Sequence, residues 1–246
     1  MKIIVCIARA IETTAKIKFK NEGREFDDEG VQYILNPYDE WYSLVRALEV
    51  KESLGGEVTV IHVGGADSDQ IIRKALAIGA DNAIRINAEV RSGEEVAHLL
   101  AAQIRNMDYD IIFTGQETVD YNGGIVPPML SALLDLPFIG VVSRLELDGT
   151  TATLSRQIEG GVEVVESQLP LVLSATKDLA QQRIPNMRGI MMAKRKPIEV
   201  VEPNSFESSV STAGFHLPEK EKSITYVDAD NMDELVRLLH EQAKVI

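Results

Sequence analysis

Short apolar runs alternate with helically spaced apolar residues over the first two-thirds of the chain. Lys2–Ala8 (KIIVCIA) is almost continuously apolar, as a strand covered on both faces would be. A polar segment, Glu12–Gly30, predicts a loop or small hairpin. Asn36–Asp39 (NPYD) predicts a turn, and Asp39 opens a helix with Trp41, Leu44, Val45 and Leu48 at helical spacing, stopped by Gly55–Gly56. Glu57–Val63 (EVTVIHV) predicts a second buried strand. Ile71, Ile72, Ala75 and Leu76 mark the next helix, with Gly79 placed to end it. A short strand follows at Ala83–Ile86. Ser92 and Glu95 have capping-box spacing ahead of a helix carrying Val96, Leu99, Leu100 and Ile104. Tyr109–Thr114 predicts another strand, then a long loop and a helix to about Leu134.

After Pro137 the period changes. Val141–Leu147 and Thr151–Ile158 flank Asp148–Gly149, a hairpin turn, and Val162–Gln168 and Leu171–Ala175 are further strands. The alternation predicts an α/β fold: an open, mostly parallel sheet with helices on both faces and antiparallel hairpin additions at one edge. Glu202–Lys222, rich in Ser, Pro and Glu, predicts an extended arm. Asn231–Lys244 predicts a last amphipathic helix with Leu235, Val236, Leu238 and Leu239 on its apolar side. The organisation is thus one domain over residues 1–200 and a C-terminal arm plus helix over 201–246.

Composition narrows the function. Acids outnumber bases by 38 to 25 among 246 residues, giving a net charge of −13. That argues against nucleic acid and anionic membrane surfaces, both of which need a basic footprint. A single cysteine, Cys6, excludes an internal disulfide and CxxC chemistry, and a reducing, cytoplasmic compartment is expected. The apolar run at the N-terminus is short and closed by Arg9, unlike a signal peptide. The most apolar stretch, Gly123–Val142, is broken by Pro127, Pro128, Asp135 and Pro137, so no membrane insertion is expected.

Catalytic signatures are missing. There is no GxGxxG after the first strand, no GxxxxGK[ST] and no GxSxG. His62, His98, His216 and His240 lack metal-ligand spacing, so neither a metal site nor a catalytic constellation is expected. Four loops remain at predicted carboxyl ends of strands, where open parallel sheets bind ligands. They follow Ile7, or lie at NPYD, Gly64–Gly65 and Gly115–Val126. In the last, Gly123–Gly124 lets the backbone approach a ligand, and Pro127–Pro128 open a helix whose free N–H groups suit a phosphate. An ordinary strand-to-helix loop is the alternative. Arg183–Lys196 (RIPNMRGIMMAKRK) carries five bases and no acid, interleaved with Ile184, Met187, Ile190, Met191 and Met192. Flexible methionines among cations suit a surface that accepts several partners. A helix with core methionines and a solvated basic flank is the alternative there.

These motifs, in order, resemble the beta subunit of electron transfer flavoproteins over roughly residues 1–200. The segments are IIVCIAR, DEGVQYILNPYDEW, VTVIHVGGADSDQIIRKALAIGADNAIRI, TGQETVDYNGGIVPPML, RQIEGGVEVVESQLPLVLSA and MRGIMMAKRKPIE. The resemblance implies a Rossmann-like, nucleotide-binding-like fold and a non-enzymatic electron carrier in a heterodimer. A larger alpha subunit would hold most contacts to FAD, this subunit would bury AMP, and its C-terminal arm and helix, residues 201–246, would pack on the alpha subunit. Carried over by position, cofactor contacts fall on Cys6, Asn36, Pro37, Tyr38, Asp39, Val63, Gly115, Gln116, Asp120, Gly123, Gly124, Ile125 and Val126.

A loop docking acyl-CoA dehydrogenase-type flavoenzymes falls on Arg183–Lys196. Met187 would be its anchor, with Ile184, Arg188, Ile190 and Met191 around it. Electrons would leave to a membrane electron transfer flavoprotein–quinone oxidoreductase. Gln116, Tyr121–Ile125, Gln157 and Met187 depart from the family's usual residues. The GGADTLAT-like loop of electron-bifurcating members, which hold a second FAD in place of AMP, should fall near Asn87–Leu99. AEVRSGEEVAHL stands there instead, which favours the AMP form. A stand-alone adenine-nucleotide-binding module is a further alternative, and it leaves the basic Met-rich segment unexplained.

Overall fold

The computed structural model describes residues 1–37, 39–218 and 224–246. Tyr38 and the last part of the expected arm, residues 219–222, lie outside the described residues.

Strand β1 (Lys2–Cys6) is flanked by β6 (Glu57–Val63) and β8 (Ile111–Gly115), both parallel to it. Outward from β6 come β7 (Asn82–Ile86) and β13 (Glu199–Val201). Outward from β8 come β12 (Leu171–Ala175), β9 (Phe138–Asp148), β10 (Thr151–Ile158) and β11 (Gly161–Gln168). Seven of the nine strands (β9, β12, β8, β1, β6, β7 and β13) are parallel, and β10 runs antiparallel to both β9 and β11, so the hairpin additions do form one edge. The first two crossovers lead outward on the β6 side of β1, and the chain then returns to place β8 on its other side. This reversal puts a topological switch point between the carboxyl ends of β1 and β8.

Helices cover both faces. Helices α1 (Asp39–Leu54) and α2 (Asp69–Ile78) pack on one face around Val5, Val60, Phe113 and Leu173. Helices α3 (Gly93–Ile104) and α4 (Val126–Leu134) pack on the other around Ile4, Ile61, Ile112 and Val172. The strands between these layers are buried on both sides, which is why they read as continuous apolar runs. The signals at helix ends act as expected. Ser92 accepts a hydrogen bond from the Glu95 amide at 3.2 Å, and the Glu95 carboxylate reaches back to the Arg91 amide at 2.9 Å. Gly79 ends α2 with φ at 147°, a value an L-residue rarely adopts.

The structure adds detail that periodicity does not carry. The first strand stops at Cys6. After it, β2 (Arg9–Ile11) pairs antiparallel with β5 (Tyr33–Leu35). The polar segment between them holds a two-residue-per-strand hairpin, β3 (Phe19–Lys20) with β4 (Glu25–Phe26). β13 also extends the parallel sheet just before the arm. The described arm begins along its own domain: Phe206 stacks on His98, Ser208 and Ser209 bond the Glu94 carboxylate, and Phe215 stacks on Phe19. Helix α6 (Met232–Leu238) follows, continued as a π-turn over Leu239–Ala243, and buries none of its residues in this chain.

Candidate functional site

The loop Gly115–Val126 leaves β8 beside the end of β1, at the switch point. It is fastened to the NPYD turn side chain by side chain. Asn36, fully buried, donates its amide N–H to the Glu117 carbonyl at 2.9 Å and accepts from the Val119 amide at 3.2 Å. Asp39, the first residue of α1, accepts from the Glu117 amide at 3.0 Å. Asp120 accepts from the Ile11 amide at 3.3 Å and so ties the far side of the loop to β2. Ser43, one turn into α1, donates to the Thr114 carbonyl at 2.6 Å. Asn36, Asp39 and Asp120 therefore shape the loop's backbone directly.

Glu40 is the residue that the sequence reading passed over. Its carboxyl is buried beneath the loop, where it accepts a hydrogen bond from the Asn36 side chain and faces Gly115. A Cβ on Gly115 would lie 2.6 Å from the Glu40 carboxyl carbon, so any larger residue there would have to displace the Glu40 carboxyl. Burial pushes the Glu40 carboxyl up to about 8, against the Asn36 hydrogen bond, and the charges of Asp39 and Asp120 push the same way. Burial also raises Asp39. The available clue was spacing: Asn36 and Glu40 are four apart across the start of a helix.

Beyond the anchored half, the loop is open. A Cβ on Gly123 would meet nothing within 4 Å, and Gly124 has φ at 58°. The amides of Gly123, Gly124, Ile125 and Val126 meet no acceptor among the described residues. α4 starts immediately afterwards, with prolines in its first turn that carry no N–H. Four free amides at the start of a helix form the donor set that a phosphate takes, so the residues present fit a nucleotide's phosphate.

Cys6 lies at the bottom of this edge among Ile61, Val63 and Ile86, and burial pushes its thiol up to about 12, which keeps it protonated and unreactive. Val63 ends β6 in the same cluster. Pro37 accepts a hydrogen bond at its carbonyl, described below. Gln116 sits half-buried in the loop. Next to Val63, buried His62 makes a 2.9 Å contact with the Ile7 carbonyl and is held below the ordinary histidine range by burial, as a satisfied core histidine. No group of three or more possible metal ligands exists among the described residues.

The basic segment forms helix α5 (Met187–Ala193), with Asn186 capping it through the Gly189 amide at 2.8 Å. Its inner side is pinned to α2. A Cβ on Gly189 would lie 2.4 Å from the Ala77 carbonyl oxygen. Arg73 donates at 2.6 Å to the carbonyls of both Ala193 and Lys196, and Lys196 donates to the Ala80 carbonyl at 2.5 Å. The outer side is free: Ile184 is 88% exposed, Met187 74%, Met191 60% and Met192 52%. Arg188 is exposed and Ile190 borders the same surface. The structure thus places the methionines outside, against the alternative of core methionines.

The two regions meet along α1, from its first residues to Glu52 in its last turn. Gln182 donates to the Pro37 carbonyl at 2.7 Å, Trp41 donates its indole N–H to the Arg183 carbonyl at 3.2 Å, and Arg183 pairs with Glu52 at 2.6 and 2.8 Å.

Comparison with known proteins places the chain in a family. Residues 24–205 match the model of the electron transfer flavoprotein domain family. The electron transfer flavoprotein subunit beta of Bacillus subtilis is 35% identical over 260 aligned positions, covering all of both chains. That of Syntrophomonas wolfei is 34% identical, over 89% of this chain and 86% of the relative. The human protein is 30% identical, over 82% of each. A matched domain spanning most of the chain, and relatives similar over their full length, show that the chain belongs to the electron transfer flavoprotein beta-subunit family.

Proposed function

We propose that this chain is the small subunit of a heterodimeric electron transfer flavoprotein that binds AMP at the Gly115–Val126 loop and docks flavoenzymes through α5. FAD, held mainly by the larger alpha subunit, supplies the carrier that takes up and gives electrons. Acyl-CoA dehydrogenase-type flavoenzymes are the donors, and a membrane quinone oxidoreductase is the acceptor. This chain performs no bond chemistry. Asn36, Asp39, Asp120 and Glu40 hold the loop; Gly123–Val126 offer amides to the AMP phosphate. Helix α6, with Met232, Leu235 and Val236 exposed and nothing among the described residues to cover them, suits the alpha subunit as its cover. The C-terminal residues 224–246 then act as the arm onto that subunit, while Phe206–Phe215 lie along their own domain. No helix among the described residues is long and apolar enough to cross a membrane.

The observation that carries the reading is the row of four unpaired amides at the switch point, set beside an exposed apolar and basic helix on the same scaffold. Co-expression with the alpha subunit is expected to give a yellow heterodimer that releases FAD and AMP in about equal amounts on denaturation. A colourless chain that never pairs would overturn the proposal. Two FAD per heterodimer with no AMP would replace it with the electron-bifurcating form.

A further inference from the structure

We propose that the outer face of α5 is a reversible methionine-oxidation site: peroxide converts Met187, Met191 and Met192 to sulfoxides and weakens docking there. This rests on the docking role assigned to α5 above.

Sulfur chemistry in this chain has few outlets. The one cysteine is buried, and its proton is held too tightly for thiolate chemistry. Three of the seven methionines lie within one seven-residue helix, and all three are exposed. By contrast, Met107 packs partly buried against the core on the α3 side, and Met129 is partly buried within α4. Thioether oxidation by peroxide needs only access, because the sulfur carries its own lone pair and has no proton to lose.

In each step the sulfur lone pair attacks one peroxide oxygen. The S–O bond forms as the O–O bond breaks, and the departing hydroxide takes the remaining peroxide proton to become water. Sulfur loses two electrons, and hydrogen peroxide is reduced to water. The product is polar where the thioether was apolar.

The structure makes that change matter for docking rather than folding. The inner side of α5 is fixed by Gly189 against Ala77 and by Arg73 on the Ala193 and Lys196 carbonyls. None of the three methionines contributes to this seat. Oxidation therefore leaves the helix in place while replacing its apolar contact surface with sulfoxide oxygens that lose their water on docking. Met187 and Met191 are four apart and share one helical face, so both meet the same partner surface.

The test uses the intact heterodimer, dilute hydrogen peroxide and peptide mass mapping, followed by transfer kinetics with the partner dehydrogenase. Met187, Met191 and Met192 are expected to gain oxygen before Met107 and Met129. The KM for this protein at the dehydrogenase is expected to rise about tenfold or more, the loss of one well-buried apolar anchor. Methionine sulfoxide reductases should restore it. A triple variant, Met187→Leu, Met191→Leu and Met192→Leu, should show no change on peroxide treatment relative to its own untreated rate. Equal oxidation of all methionines would overturn the proposal. Selective oxidation with an unchanged KM would also overturn it, and Met187→Ala then separates the causes. If Met187→Ala raises the KM, docking on α5 stands and only the switch fails; if it does not, the docking assignment itself fails.

Discussion

Replacing Glu40 by glutamine should flatten the pH dependence of stability between pH 5 and pH 8. The carboxyl is buried between Asn36 and Gly115, with Asp39 and Asp120 close enough to oppose its charge. Its folded value of about 8 lies far above that of an ordinary glutamate near 4.5. Between those values the folded chain holds a proton that the unfolded chain has released. Folded protein binds more protons there, so stability falls as pH rises. The contribution is fully present below about pH 4.5 and is lost as pH rises through 8.

Integrating the two titrations from pH 5 to pH 8 gives a loss on the order of 3 kcal/mol from this one group. Glutamine has the shape of the protonated acid and no ionisation, so Glu40→Gln removes that slope while keeping the packing beneath Gly115. Urea unfolding at pH 5, 6.5 and 8 measures it. The wild-type protein should lose stability steadily over the series, and the variant should lose much less. Parallel curves for the two proteins would refute the buried, protonated state of Glu40.

Two further substitutions probe the scaffold around the sites. Gly189→Ala places a Cβ against the Ala77 carbonyl oxygen, where only backbone can yield. It should cost about 1–3 kcal/mol and speed amide exchange across α5, while exchange in the sheet stays as it was. Asp81→Ala removes a carboxylate that accepts from Lys51 at 2.6 and 2.7 Å and from the Val58 amide at 2.8 Å. Chemical denaturation should show a loss of about 2–3 kcal/mol, with the cofactor content of the heterodimer unchanged.

The legible parts of this fold are those where a single period dominates. Val58–Val63 and Ile111–Phe113 are buried on both faces, so their apolar runs could be nothing but central strands or buried helix segments, and their length chose strands. β13 was not legible, because three residues of EVV after a basic segment carry no period, and only pairing with Ile84–Ile86 makes them a strand. The open half of the Gly115–Val126 loop was readable from Gly123–Gly124 and the two prolines. Its anchored half was not. The bonds from Asn36 and Asp39 to Glu117 and Val119 span about 80 residues of sequence, and no local pattern announces such a tie. Glu40 was hidden differently: an acid in the first turn of a helix reads as a dipole partner. Only the fold shows that it lies under another loop.

The outermost strand, β11, has consequences for how the chain must be made. Its outward backbone edge is unpaired among the described residues, and Val162 and Val164 stand largely exposed along it. Such an edge is a template for any extended chain that meets it during synthesis. Glu166, next to those valines, repels a second copy bearing the same acid, while Glu163 is paired with Arg156 of β10 at 2.9 Å. Self-association is thereby discouraged without a covering element. A newly made chain is thus kept from pairing edge to edge with another copy of itself.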